Sequence, residues 1–214
     1  MPERRSTPLP VALAGTALRT IRPQDVTDTY AHPRPEFARL VERGVLHRVA
    51  RGYYVVIPQE HLGRPWLPDL EATAAGIASA IYGPEQAILM GISAARLWGV
   101  IPRALATAIV AVPKQHGTVA LTDRLGTVRF VKRDTDALDA ELAQTPFGAA
   151  LVTTVEQTAL DLARRPMLGD AEVDVPAAIA SLYHRSDKQR LARIASAQRL
   201  TAALRRAEMW ARAQ

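Results

Sequence analysis

Residues Pro33 to Val56 read PRPEFARLVERGVLHRVARGYYVV, a short helix followed by a tight two-stranded ribbon. Arg34 precedes a proline and is pushed out of the α region, so Pro35 is expected as the first helical residue. Glu36 then sits in the first turn, where negative charge suits the helix dipole. Phe37, Leu40 and Val41 recur at helical spacing and make one apolar face. Pro35, Arg39 and Arg43 fall on the other side, with Glu42 beside them. Gly44 ends the helix. Val45–Val49 and Tyr53–Val56 read as strands around a turn at Ala50-Arg51-Gly52. A helix with an arginine-bearing outer face leading into a basic hairpin reads as the recognition helix and wing of a winged helix-turn-helix. Its candidate DNA contacts are Arg34, Pro35, Arg39, Arg43, His47, Arg48, Arg51 and Tyr53. Phosphates attract such a cluster whatever the base sequence.

On the N-terminal side, residues 1–8 read as a polar arm carrying Arg4 and Arg5. Leu9–Leu18 is expected to be a first helix, Thr20–Arg22 a short strand joining the wing, and Pro23–Thr29 a second short helix opened by its proline. Helix, short helix, turn, helix and hairpin match the helix-turn-helix plan.

On the C-terminal side, PQEHLGRPWLP over Pro58–Pro68 is rich in proline and forms the expected boundary, with Trp66 as a docking residue. The expected division is a DNA-binding unit over 1–57, a linker over 58–68 and a mixed α+β unit over 69–214. A helix is expected from Asp69 to Tyr82, with Leu70, Thr73, Ala74, Ile77 and Ile81 on one stripe. A strand at Gln86–Met90, a helix capped by Ser93 and ending at Gly99, and strands at Ala108–Val112, Thr118–Leu121, Thr127–Lys132 and Ala150–Val152 follow. Thr153–Glu156 and Ser186–Gln189 have the form of capping boxes, for a helix to Ala163 and for the start of a basic tail helix. From Pro176 the chain is helical. The apolar stripe changes side between Leu191, Ile194, Ala195 and Leu200, Leu204, Ala207, so a break is expected near Ser196–Gln198. The fold class is α+β, an N-terminal winged helix-turn-helix followed by a mixed α+β domain with C-terminal helices.

The net charge of +6 is uneven: residues 1–65 carry +4, residues 66–180 carry −4 and residues 181–214 carry +6. Two basic ends around an acidic middle suggest two anionic partners, or one long one reached by both ends. In the tail, Arg190, Arg193, Arg205, Arg206 and Arg212 are candidates for a second interaction surface, for an acidic protein or for DNA beside the operator, with a solvated helical face as the plain alternative. There is no cysteine, which excludes disulfides, cysteine-ligated zinc and thiol catalysis. The five histidines are scattered, and neither a metal nor another cofactor is expected. Asp134 and Asp136 read as a solvated turn. Pro68-Asp69 has the form of a nuclease-site start, but Val112-Pro113-Lys114 lacks the acid that such a site needs two residues before its lysine. No phosphate loop or nucleophile elbow is present, so a binding protein is expected rather than an enzyme. No apolar run can span a bilayer, and the first ten residues lack the apolar core of a signal peptide, so the expected location is the cytoplasm.

Three stretches carry a family resemblance. Leu40-Val-Glu-Arg-Gly-Val-Leu-His-Arg-Val-Ala-Arg-Gly-Tyr-Tyr54 is similar to the end of the recognition helix and the wing of the AbiEi antitoxin family of bacterial toxin–antitoxin systems. Gly91-Ile-Ser-Ala-Ala-Arg-Leu-Trp-Gly99 and Thr153-Thr-Val-Glu-Gln-Thr-Ala-Leu-Asp-Leu162 resemble segments of its C-terminal domain. The resemblance implies an N-terminal domain that represses its own operon at inverted repeats in double-stranded DNA. It also implies a C-terminal domain that counters a nucleotidyltransferase-like toxin, with no toxin-neutralising residues carried over. The alternatives are a winged-helix repressor whose second domain senses a small molecule, and a degenerate nuclease-like protein.

Overall fold

A computed structural model describes residues 15–213. Its N-terminal part is a three-stranded antiparallel sheet in the order β1-β3-β2, made of Thr20–Ile21 (β1), Leu46–Ala50 (β2) and Tyr53–Val56 (β3). The helix Pro33–Glu42 (α1) packs on one face of it. Phe37 and Leu40 are buried there with Ile21, Val26, Val45, Leu46 and Val56, and Phe37 meets the ring of Tyr54 edge-on at 5.1 Å. The helix starts at Pro33, with His32 as its N-cap, two residues earlier than the Arg34-Pro35 pair suggests. It ends as expected: Gly44 takes φ 68°, and the N–H groups of Gly44 and Val45 return to the carbonyls of Val41 and Leu40, each at 2.9 Å.

Two short elements differ from the expectation. The arm carrying Arg4 and Arg5, and most of the expected helix Leu9–Leu18, lie outside the described residues. The described end of that helix is a 3-10 turn, Ala17–Arg19, with Leu18 and Arg19 at φ 47° and 53°. The chain turns sharply here because Leu18 is buried against the next unit, and the Thr20 hydroxyl donates to the Leu18 carbonyl at 3.0 Å. Pro23–Val26 is likewise a 3-10 turn rather than a longer helix. Asp25 closes it early by accepting from the Arg22 backbone N–H at 3.0 Å and from the Arg22 guanidinium at 2.7 Å.

The rest of the chain is built on a six-stranded mixed sheet in the order β6-β7-β5-β4-β9-β8. The strands are Ile88–Leu89 (β4), Thr107–Val112 (β5), Val119–Ala120 (β6), Thr127–Lys132 (β7), Ala140–Thr145 (β8) and Gly148–Thr153 (β9). β5 runs parallel to β7, β4 runs parallel to β9, and the other pairings are antiparallel. β5, Thr-Ala-Ile-Val-Ala-Val, is buried along its whole length, as a strand covered on both faces must be. Its Ile109 and Ala111 join a core with the helices Val155–Arg164 (α4), Val175–Arg185 (α5), Lys188–Ala197 (α6) and Thr201–Arg212 (α7). Ala108, Val110 and Val112 join the opposite core with the helix Leu70–Tyr82 (α2). The remaining helix, Ile92–Leu97 (α3), leads from β4 to β5.

α2 is buried at every residue from Leu70 to Ser79, not only along the expected stripe. One side lies on the large sheet, and the other receives the N-terminal unit. Leu18, Val49, Ala50 and Val55 belong to the same buried cluster as Ala74, Ile77 and Val110. Gly76 makes the approach possible, because a Cβ there would lie 2.0 Å from Thr20 Oγ1 and 3.2 Å from the Leu18 carbonyl oxygen.

Several further expectations need correction. Ser93 lies inside α3, and its hydroxyl accepts the Ile109 backbone N–H at 2.9 Å instead of capping the helix, whose N-cap is Gly91. The caps of α4 and α6 are Thr154 and Asp187, one residue later than expected. Thr153 instead shares a 2.8 Å hydrogen bond with Thr158, and Ser186 donates to Leu182 at 2.7 Å. The strand expected over Gln86–Met90 shortens to β4, and β8 was not expected at all. The tail breaks between α6 and α7, where Arg199 takes φ 56°.

Candidate nucleic-acid interface

Burial of Phe37 and Leu40 fixes the rotation of α1. The opposite side therefore presents Arg34, Pro35, Ala38, Arg39 and Arg43 to solvent. From the hairpin, Arg48 and Arg51 are also exposed. Among the described residues Arg39 pairs only with Glu36, at 3.3 Å, and is itself 67% exposed, so this pair binds it weakly. No carboxylate lies within ion-pair distance of Arg34, Arg43, Arg48 or Arg51 among the described residues. Between the Pro23–Val26 turn, the start of α1 and the tip of the hairpin lies an open depression of about 430 Å³, with His32, Arg34, Pro35 and Gly52 on its rim. Two stacked elements thus leave their cations on the outside of one small unit.

Two of the eight candidate residues sit differently. His47 is on β2, which bulges between Arg48 and Ala50, and its ring turns toward the second unit. His47 Nε2 lies 2.9 Å from Asp123 Oδ2, and the ring meets Trp66 edge-on at 5.8 Å. Asp123 also receives Arg124 Nη2 at 3.1 Å. Burial alone would raise the Asp123 carboxyl, but hydrogen bonds and charge from Arg124 and His47 hold it below the ordinary range. Tyr53 is half-buried beside the Arg22 guanidinium. Burial raises the Tyr53 pKa, while Arg22 opposes the rise. Asp123 and Trp66 therefore hold the His47 side of the hairpin. Only Trp66, by its place among prolines, was legible as a docking residue.

The tail arginines separate too. Arg190 is bound to Asp139, with Nε to Oδ2 at 2.9 Å and Nη2 to Oδ1 at 3.1 Å. Arg206 donates to the Ala163 carbonyl at the end of α4. Arg193, Arg205 and Arg212 remain exposed. Among the described residues, no group of three His, Asp or Glu side chains could hold a metal ion, and no helix is long and apolar enough to cross a membrane.

The described residues form a mixed sheet flanked by α2 and by a four-helix face, with a small basic unit packed on α2. The AbiEi antitoxin C-terminal domain matches residues 86–210, which is more than half of the chain and includes both resembling stretches of the second unit. The chain belongs to the AbiEi antitoxin family, and the matched domain supports an antitoxin role. That family is generally non-enzymatic. The fold is similar to the crystal structure of the RV2827C protein from Mycobacterium tuberculosis, with a TM-score of 0.60 and 19% identity over 90% of this chain and 71% of that one. No curated protein sequence matches this chain.

Proposed function

We propose that this antitoxin is also a DNA-binding repressor of its own operon, and that its partner is a nucleotidyltransferase-like toxin. In this reading residues 1–57 form a winged helix-turn-helix, residues 58–68 connect it, and residues 69–214 form the antitoxin unit. The protein would then work in the cytoplasm, where its DNA is. The observation that carries the DNA reading is the set of exposed arginines on α1 and the hairpin that have no carboxylate partner among the described residues, Arg34, Arg43, Arg48 and Arg51, with the weakly paired Arg39 among them. α1 would enter the major groove, Arg39 and Arg43 would reach base edges, and Arg48 and Arg51 would lie on phosphates or in the adjacent minor groove. One such unit reads few base pairs, so two copies on inverted repeats are expected. Footprinting on the promoter fragment tests this. Two protected half-sites are the expected result, and one protected half-site contradicts it. The toxin reading is tested by co-expression with the adjacent reading frame, where growth must be restored.

A further inference from the structure

The two resembling stretches of the C-terminal unit meet at a cavity that neither DNA binding nor the family match assigns a role. It has a volume of about 250 Å³ and lies between the end of β7 and the C-terminal end of α4. Gly91 reaches it from the first stretch, and Asp161 and Leu162 reach it from the second. Lys132, Arg133, Arg164 and Arg165 line it together with only two carboxylates, Asp134 and Asp161. Arg133 is committed to Asp161, Nη1 to Oδ1 at 2.9 Å. Lys132, Arg164 and Arg165 have no carboxylate within ion-pair distance among the described residues.

Asp161 has a side chain only 1% exposed. Its Oδ1 accepts from Arg133 and, at 3.2 Å, from Gln157 Nε2, whereas its Oδ2 is buried with no hydrogen-bond partner among the described residues. A buried carboxylate oxygen without a donor is costly, and it marks a place where a hydroxyl or amino group is favoured. Burial pushes the Asp161 carboxyl up, against the pull of Arg133. The surplus of two positive charges suits a phosphomonoester, which carries about −1.5 to −2 at pH 7, better than it suits a single carboxylate. Arginines at such a site can grip phosphate oxygens in pairs. Val131, Leu162 and Leu168 supply an apolar wall, against which a small carbon skeleton can lie.

We propose that this cavity binds a small hydroxylated organic phosphate. Lys132, Arg164 and Arg165 hold the phosphoryl group, and a ligand hydroxyl donates to Asp161. The site is independent of the α1 face. Calorimetric titration of the full chain with ribose 5-phosphate, with ribose and inorganic phosphate alongside, tests it directly. Ribose 5-phosphate should bind more tightly than either control. The R164Q/R165Q double variant, altered only at exposed side chains, should weaken that binding at least about tenfold. Leu168→Trp, which fills the apolar side without changing charge, should block ribose 5-phosphate while sparing operator affinity. Titration of duplex DNA separates the sources of phosphate. If R164Q/R165Q weakens only DNA binding, these cations serve a nucleic-acid backbone and the pocket proposal fails. It fails equally if the folded parent chain shows no binding of ribose 5-phosphate up to about 10 mM, or if the double variant binds it as the parent does.

Discussion

The two units of this molecule differ in how many of their arginines are tied to carboxylates. Among the described residues of the N-terminal unit, Arg34, Arg43, Arg48 and Arg51 are left in solvent without carboxylates, and Arg22 is firmly paired with Asp25. In the second unit, Arg96 pairs with Glu71, Arg103 with Asp174, Arg129 with Asp170, Arg133 with Asp161, and Arg190 with Asp139. The acidic middle of the chain therefore does more than balance charge in the sequence. Its carboxylates tie the helices to the sheet and draw in part of the basic tail, whereas the basic N-terminal face is left unneutralised. Free cations suit a polyanion, and paired ones hold a fold together.

That contrast can be broken most severely at Glu71, which is 2% exposed on α2 with Oε1 2.7 Å from Arg96 Nε on α3. Burial raises its carboxyl, as does Asp69, and Arg96 opposes the rise. Glu71→Ala leaves the partly buried Arg96 without its carboxylate and should cost about 3–5 kcal/mol in urea unfolding. Arg48→Ala on the free face should stay within about 0.5 kcal/mol of the parent. Next comes the seam between the units. Gly76→Ala forces Thr20 and the Leu18 turn away from α2 and should cost about 1–3 kcal/mol by overpacking, with protease sensitivity rising first around residues 15–22.

A pH-dependent effect of similar size is expected at Asp123. Its folded pKa is depressed, so its contribution is complete above the ordinary carboxylate range and is lost as pH falls through the depressed value. Asp123→Asn should cost about 1–3 kcal/mol at pH 7 and flatten the acid limb of the stability profile. The same loss at pH 3 as at pH 7 would show that the charge plays no part. The smallest effect on stability is expected for Arg205→Gln with Arg212→Gln, within about 0.5 kcal/mol. This pair leaves the Arg206–Ala163 bond intact. A loss of toxin neutralisation would mark the tail as a protein-binding surface, a reduced salt slope would mark it as a DNA-binding one, and no change in either would leave it a solvated face.

The α1–hairpin unit was legible because Phe37 and Leu40 keep helical spacing and Gly44 and Gly52 punctuate it. β5 was legible as a continuous apolar run, and the tail break as a change of side in the stripe. β8 was not, since Ala-Glu-Leu-Ala-Gln-Thr shows no clean alternation. It is an edge strand that pairs only with β9 and leaves Glu141, Leu142 and Gln144 exposed. Nor could the sequence give the surroundings of His47, because a strand pattern does not say which distant unit covers which face. Glu71, Glu156 and Asp161 look like solvated helix charges in the sequence. Their carboxylates are met by Arg96, by the Asp187 backbone N–H and by Arg133, which come from other elements.

The free arginine face is tested most directly by measuring operator binding across salt concentrations for the parent chain, Arg39→Ala and Arg51→Ala. Arg39→Ala should lose about 1–3 kcal/mol of affinity and relax base preference at one position in each half-site. Arg51→Ala should weaken all sequences alike and reduce the slope of log affinity against log salt by about 0.9 for each phosphate it no longer neutralises. If both variants bind operator with the affinity, preference and slope of the parent, the exposed face of α1 and its hairpin is not where this protein meets DNA.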